Sequence, residues 1–304
     1  MRGAAAKKTV FCSKVERASF TAIQSQWADR FNVYPSLPLS NLIDFMSDSS
    51  LSQKERDTLL KTSVDFTLAN KQLDRPILSV EFDGIGYGFN KDGVYIQRQA
   101  ADHIDPYRKL KLDLKLRVCR EAGYPFIIVS YDETETISAE EQLTVLDGFI
   151  GSVLSKLWQR SQAWQADFQK ILDRAKRLPS HLREEALEFA GIDAEFMANV
   201  QWNPVFRRAA QLLQEVIRRG LCQSWRAEYL TAHFGPPTPD EVGVRVTAAT
   251  AMGDQVSTVR VNNVNVLNIN VMEIAECIGR IRVFTKLLAE HSQPIPPAEP
   301  FNSG

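Results

Sequence analysis

Residues 62–130 constrain the fold of this chain more than any other stretch of its sequence. Two apolar segments, 64–70 and 76–83, have the length and composition of β-strands, and five residues separate them. So short a link predicts an antiparallel hairpin, because parallel strands need a crossover of about a dozen residues or more. A strongly basic helix is predicted over 107–121, and a further apolar strand follows at 126–130.

The residues before this stretch extend the same pattern. An amphipathic helix is predicted over 14–31, followed by an extended segment over 32–39 whose prolines, Pro35 and Pro38, restrict it to a sheet edge. Ser52 and Glu55 form the pattern of a capping box at the start of a helix over 52–60. The order helix, edge strand, hairpin, helix, strand predicts a mixed α/β sheet.

The second half of the chain has the sequence pattern of a mostly helical region. Ser138 and Glu141 form another capping box, which predicts one long helix extending to about residue 178. Asn203 followed by Pro204 predicts a further helix start, and a last helix is predicted over 271–290. We therefore expect an α/β domain over 10–135, a mostly helical module over 136–292 with one β-hairpin at 242–264, and a disordered Pro-rich tail over 293–304.

Composition excludes several classes of protein. The net charge of the 304 residues is −1, so no global field attracts the chain to polyanions, and any nucleic-acid site must be a local basic patch. The four cysteines are far apart and form no Cys-x-x-Cys pair, which argues against a disulfide scaffold or zinc ribbon. No apolar run approaches the roughly 18 residues of a membrane span. We expect a cytoplasmic protein that does not enter a membrane.

Three carboxylates mark the predicted hairpin as a candidate metal site. Glu81 and Asp83 are two residues apart on one strand and so project from the same face, and Asp65 lies in the middle of the neighbouring strand. Crowded carboxylates repel one another unless a cation joins them. Hard oxygen ligands suit Mg²⁺ or Mn²⁺, so the sequence predicts a site for one of these ions.

The basic helix supplies the opposite charge. Lys111 and Lys115 are four residues apart and therefore lie on one stripe of the helix. A lysine beside metal-bound carboxylates can orient a water or stabilise the charge of a phosphodiester transition state. Lys115 is the first candidate for this role and Lys111 the alternative. Phosphate contacts are predicted for Arg108, Lys109, Lys111 and Arg117.

With Lys115 eight residues before Gly123, and with Glu81-x-Asp83-Gly84 on the strand, the chain resembles the PD-(D/E)XK, restriction-endonuclease-like superfamily. The resemblance is to a small bacterial branch in which the lysine has moved from the strand to the following helix. It covers residues 15–131 and implies an α-β-β-β-α-β core, a Mg²⁺- or Mn²⁺-dependent nuclease, and a glutamate on the first helix, for which Glu16 is the candidate.

This chain departs from the family pattern at one informative position. The usual motif places a lysine two residues after the strand glutamate, where this chain has Asp83. The resemblance then implies a lysine from the helix, with Lys115 and Lys111 both open, and the departure also leaves open a degenerate site.

Two hypotheses follow for the function. The first is a metal-dependent endodeoxyribonuclease with a role in bacterial defence or mobile-element biology. DNA is its expected substrate because the resemblance implies it, while the residues themselves leave RNA open. The second is a binding or assembly module that keeps the fold without catalysis. In either case residues 136–292 are expected to provide substrate recognition, self-association or contact with a partner protein.

Overall fold

The computed structural model of the chain describes residues 14–83, 86–89, 95–97, 107–130, 139–230, 241–262 and 271–291. The helices are α1 (Lys14–Trp27), α2 (Gln53–Leu60), α3 (Tyr107–Glu121), α4 (Ala139–Gln159), α5 (Gln162–Lys176), α6 (Ser180–Trp202), α7 (Pro204–Arg218) and α8 (Val271–Glu290). The strands are β1 (Phe31–Pro38), β2 (Ser63–Asn70), β3 (Pro76–Asp83), β4 (Gly86–Phe89), β5 (Tyr95–Gln97), β6 (Phe126–Ser130), β7 (Ser224–Tyr229), β8 (Glu241–Thr250) and β9 (Gly253–Asn262).

The central sheet has four strands in the order β1-β2-β3-β6. The pairs β1–β2 and β2–β3 are antiparallel, whereas β3 and β6 are parallel. Helix α3 lies in the connection between β3 and β6, as a parallel pair requires. The predictions of a mixed α/β fold and of an antiparallel hairpin are therefore confirmed.

The edge strand β1 forms where the sequence predicts it. Pro35 lies opposite Phe66 and Pro38 opposite Ser63, and both are tolerated because β1 pairs on one side only. The helix before it is shorter than predicted. It ends at Trp27, and Phe31 instead begins β1, where its side chain is buried opposite Asn70.

The capping box of α2 is confirmed in both directions. The Ser52 hydroxyl accepts a hydrogen bond from the backbone N–H of Glu55, and the Glu55 carboxylate accepts one from the backbone N–H of Ser52 at 2.8 Å. Asn203 likewise caps α7, accepting from Val205 and Phe206 with Pro204 at the first helical position. These two helix starts could be predicted from the sequence because each is set by side chains a few residues apart.

The long helix predicted from Ser138 is interrupted. α4 ends at Gln159, and Ser161 begins α5 by accepting a hydrogen bond from the backbone N–H of Trp164 at 3.1 Å. The apolar periodicity continues across this point, so the sequence pattern does not show the break. The hydroxyl of Ser161 accepts a backbone hydrogen bond and so starts a new helix.

The second half also contains more strand than predicted. The hairpin expected over 242–264 is present as β8 and β9, joined by a tight turn at Ala251 and Met252. β7 adds a third antiparallel strand on the free side of β8 and was missed. A small β4–β5 pair follows β3, and the predicted tail over 293–304 lies outside the described residues.

Two apolar clusters cover the two faces of the central sheet. One lies between the sheet, the region around 39–59, and α3, and includes Leu59, Leu114 and Phe126. The other begins with α1 and the opposite face of the sheet and continues without interruption into α4, α7, α8 and β7–β9. The sheet of the first half and the helices of the second half therefore share one core.

Candidate functional site

The candidate site lies where β2 and β3 meet the buried side of α3. The last pair of the β2–β3 ladder joins Phe66 to Val80, so Asp65 and Glu81 are the next residues along the two strands. Leu78 and Val80 point into the core shared with the second half. Since side chains alternate along a strand, Ser79 and Glu81 face α3 instead.

Lys115 brings a buried cation to this position. Its Nζ donates to Glu81 Oε1 at 2.6 Å, and the two side chains are 5% and 16% exposed. Lys115 has apolar neighbours on α3, Leu112 and Leu114, which are buried beneath α2. A charged pair this far from water is one of the rarer contacts in a folded protein, because each ion loses its hydration.

The environment shifts the proton affinity of Glu81. Burial raises its pKa to about 7, the Lys115 ammonium acts in the opposite direction, and the Asp65 carboxylate adds to the increase. The backbone of Asp65 also hydrogen-bonds to this carboxylate and lowers its pKa. Oε2 is buried, and Lys115 does not contact it.

Neighbouring polar groups fix the strands around the site. The hydroxyls of Thr67 and Ser79 are 2.8 Å apart across β2 and β3, and the Tyr124 hydroxyl lies 2.9 Å from Ser79. Cys119, one turn after Lys115 on α3, is fully buried, and burial raises the pKa of its thiol to about 12. It is therefore a protonated thiol that packs beside the ion pair. We did not predict these residues, although the four-residue spacing from Lys115 to Cys119 was a usable signal.

The remaining predicted residues are distributed differently. Lys111 lies one turn before Lys115 and is partly exposed. Arg117 is turned towards α2, where it donates to Glu55 at 2.9 Å. The side chains of four predicted residues lie outside the described part of the chain, namely Glu16, Asp83, Arg108 and Lys109.

The donor groups present fit a hard cation only in part. Among the side chains that the structure describes, no group of three His, Cys, Asp or Glu is positioned to hold a metal ion. Asp65 and Glu81 supply two carboxylates, one with a buried oxygen that Lys115 does not contact, and Asp83 is the third residue that the sequence places on this face. Oxygen donors of this kind suit Mg²⁺ or Mn²⁺ rather than a soft metal.

A second buried carboxylate lies on the opposite side of the sheet. Asp147 on α4 accepts a hydrogen bond from the indole N–H of Trp27 on α1 at 2.8 Å. Burial raises the pKa of Asp147 to about 7. Within the described residues no cation pairs with it. This carboxylate therefore connects α1 to α4 and lacks the charged neighbours that Glu81 has.

Comparisons of the chain with protein-family models, curated proteins and solved structures find no match. Among the described residues, no helix has both the length and the apolar character that crossing a membrane requires.

Proposed function

We propose that this chain is a metal-dependent nuclease of the restriction-endonuclease-like class that hydrolyses phosphodiester bonds of DNA. The observation that supports this best is the buried contact of Lys115 with Glu81, next to Asp65. It combines a lysine donor and two carboxylates on the face of a small mixed sheet. The elements α1, β1, β2, β3, α3 and β6 follow one another in the order that the resemblance implies, with α2 inserted after β1 and the β4–β5 pair inserted after β3.

Each residue has a distinct role in this proposal. Asp65 and Glu81, with Asp83, would hold Mg²⁺ or Mn²⁺, which when bound lowers the pKa of a coordinated water and neutralises phosphate charge. Lys115, fixed by α3, orients the attacking water or donates to a non-bridging oxygen of the phosphate as negative charge develops there. The apolar packing of α3 against α2 keeps bulk water away from the ammonium and so strengthens its interaction with that charge.

A second function has one observation in its favour. A buried Lys–Glu contact can also serve as a plain cross-link between a helix and a strand, and the described part of the chain offers two carboxylates at this position rather than three. On this alternative the chain is a catalytically inactive binding or assembly module.

Cleavage of supercoiled plasmid and linear duplex with Mg²⁺ or Mn²⁺ tests the proposal. We expect Glu81→Ala and Lys115→Ala to lower the cleavage rate by about 100-fold or more, since each removes a group that acts on the transition state. Lys111→Ala, on the same helix but partly exposed, is the matched comparison, and it should lower the cleavage rate far less than Lys115→Ala does. Cleavage that survives Lys115→Ala but not Lys111→Ala would transfer the role to Lys111.

Metal-dependent thermal stabilisation separates the two functions. A chain that binds Mn²⁺ at the site is stabilised by it, and the stabilisation disappears in Asp65→Ala. Wild-type protein that neither cleaves DNA nor gains stability from either metal ion would leave the inactive binding module as the function.

A further inference from the structure

Helix α6 has two unlike faces. One is narrow and buried: Ala190, Ala194 and Ala198 recur every four residues and allow the helix to pack closely on its neighbours, α4, α5 and α7. Small side chains at this spacing permit close approach of two helix backbones. This face provides most of the packing of α6, and on the other side Phe196 also contacts Phe206 of α7, with ring centroids 5.3 Å apart.

The other face of α6 carries an exposed row of large apolar side chains, here called the α6 stripe. Its members are between 43% and 61% exposed and lie within four turns of one helix: Leu182, Phe189, Ile192, Phe196 and Met197. The spacings of seven, three and four from Leu182 to Phe196 keep these residues on one side of the helix over about 21 Å. Single exposed apolar residues are ordinary, but a contiguous row marks an interaction surface.

Unpaired negative charge borders the α6 stripe. Helix α6 contains no lysine and one arginine, Arg183, whose guanidinium donates to the Leu178 carbonyl, together with His181 in its first turn. Its five exposed acids are Glu184, Glu185, Glu188, Asp193 and Glu195. None of these acids forms an ion pair within the described part of the chain.

Acids on the neighbouring helices α5 and α7 form ion pairs. On α5, Asp167 lies 2.8 Å from Lys170 and Asp173 lies 3.3 Å from Lys176. On α7, Glu215 pairs with Arg218 at 2.7 Å. The sequence of α6 thus omits the lysines and arginines three or four positions away that neutralise acids on adjacent helices, and the resulting charge is concentrated around its exposed apolar row.

We propose that the α6 stripe docks an amphipathic helix of a partner protein whose apolar face is bordered by lysine or arginine. The apolar row buries the partner's apolar face, and the unpaired acids supply the charge that a basic border complements. A second copy of this chain fits poorly, because two α6 helices face to face would bring ten acids and two arginines together. This inference does not depend on the proposed nuclease activity.

Fluorescence anisotropy with model helices tests the proposal on the full chain. The probe is a fluorescein-labelled peptide of about 18 residues with leucine on one face and lysine on the other, and its matched partner replaces every lysine by glutamate. We expect the lysine peptide to bind wild-type protein, and the glutamate peptide to bind at least about tenfold more weakly. Rising salt should weaken the lysine complex.

Variants locate the binding surface. Phe189→Ser with Ile192→Ser should weaken binding of the lysine peptide by about tenfold or more, since both residues are central to the stripe. Met252→Ser, at a 77% exposed residue in the β8–β9 turn, is the control and should leave binding unchanged. Because all three residues are exposed, circular dichroism should show an unchanged fold in both variants.

Several outcomes would overturn the proposal. Absence of binding, equal binding of the two peptides, or equal loss in the stripe and control variants would each exclude a basic helix as the occupant. Sedimentation showing a wild-type dimer that Phe189→Ser dissociates would assign the stripe to self-association instead.

Discussion

Glu81 and Asp147 are carboxylates whose surroundings differ more than their acidity. Burial raises the pKa of Glu81 and of Asp147 to about 7. Glu81 faces a buried ammonium at 2.6 Å and a second carboxylate, whereas among the described residues Asp147 accepts a hydrogen bond from the indole N–H of Trp27 at 2.8 Å. A raised pKa therefore does not identify a functional site in this molecule.

The two positions differ in the charged groups that surround the carboxyl group. At Asp147 a neutral donor satisfies a carboxyl group that is itself neutral over part of the physiological pH range, and the contact works as a cross-link between α1 and α4. At Glu81 a buried cation and a second, half-buried carboxylate lie beside the carboxyl group, at an electrostatic cost that cross-linking alone does not require.

Removing the cation from the Glu81 position should have the largest effect on stability. In Lys115→Met the Glu81 carboxylate is left buried without a counter-charge, and we expect the free energy of unfolding to fall by about 3–5 kcal/mol at about pH 8. Folding raises the pKa of Glu81, so the folded chain becomes less stable as pH rises through about 7, and loss of the ammonium increases this effect. The deficit should shrink at about pH 5, where Glu81 is protonated.

Urea unfolding of Lys115→Met at the two pH values measures this effect, with Arg120→Met, at an exposed residue of the same helix, as the control that should stay near wild type. If the proposed metal site exists, Mn²⁺ should restore part of the lost stability by replacing the ammonium as counter-charge. An equal deficit at both pH values would mean that Lys115 contributes through packing rather than charge.

An intermediate effect is expected at the second carboxylate. Because the pKa of Asp147 rises to about 7 on folding, the folded chain binds its proton more tightly, and stability falls as pH rises from about 4 to about 7. Asp147→Asn keeps an oxygen for the Trp27 N–H and cannot ionise, so it should be more stable than wild type by about 2 kcal/mol at about pH 8. Below about pH 4 the two should be equal.

The matched variant Trp27→Phe removes the indole donor and keeps an aromatic ring. It should lower the free energy of unfolding by about 1–3 kcal/mol at about pH 8, where the unpaired carboxylate is charged. Denaturation midpoints of both variants across this pH range provide the measurement. A wild-type stability that does not change between about pH 4 and about pH 8 would contradict a buried, neutral Asp147.

The smallest effect is expected from removing the second acid beside Glu81. In Asp65→Asn the like charge disappears, so the pKa of Glu81 should fall. The side-chain carboxyl ¹³C shift of Glu81 across a pH titration reports the change. An unchanged Glu81 pKa would show that Asp65 does not act on this carboxylate.

Local sequence signals predicted much of the fold, and the errors have physical causes. The capping box of Ser52 and Glu55 and the Asn203–Pro204 helix start depend on residues close in sequence, and both are as predicted. The break at Ser161 was missed because the apolar period continues across it. β7 was missed because its burial alternates only weakly and its stability comes from pairing with β8, which starts more than ten residues later.

The part of the site that could be predicted is the part that depends on the alternation of side chains along a strand. The face shared by Glu81 and its neighbours follows from the alternation of side chains along β3. Asp65 could be selected as a candidate because a carboxylate in an apolar strand is costly unless it has a partner. The choice between Lys115 and Lys111 depends on how α3 rotates against the sheet, which the helix period alone does not set. Asp147 and Trp27 are 120 residues apart, and neither lies in a local motif.

The core shared between the central sheet and the C-terminal helices has a consequence for inheritance. Apolar residues of α1 and β2 pack in one cluster with those of α4, α7 and α8, so the two halves stabilise each other. Recombination that exchanged one half for a distant counterpart would replace one side of that cluster and leave the other mismatched. We therefore expect each half of this chain to depend on the other for its stability, and the strand that carries Glu81 packs its opposite face on helices from beyond residue 138.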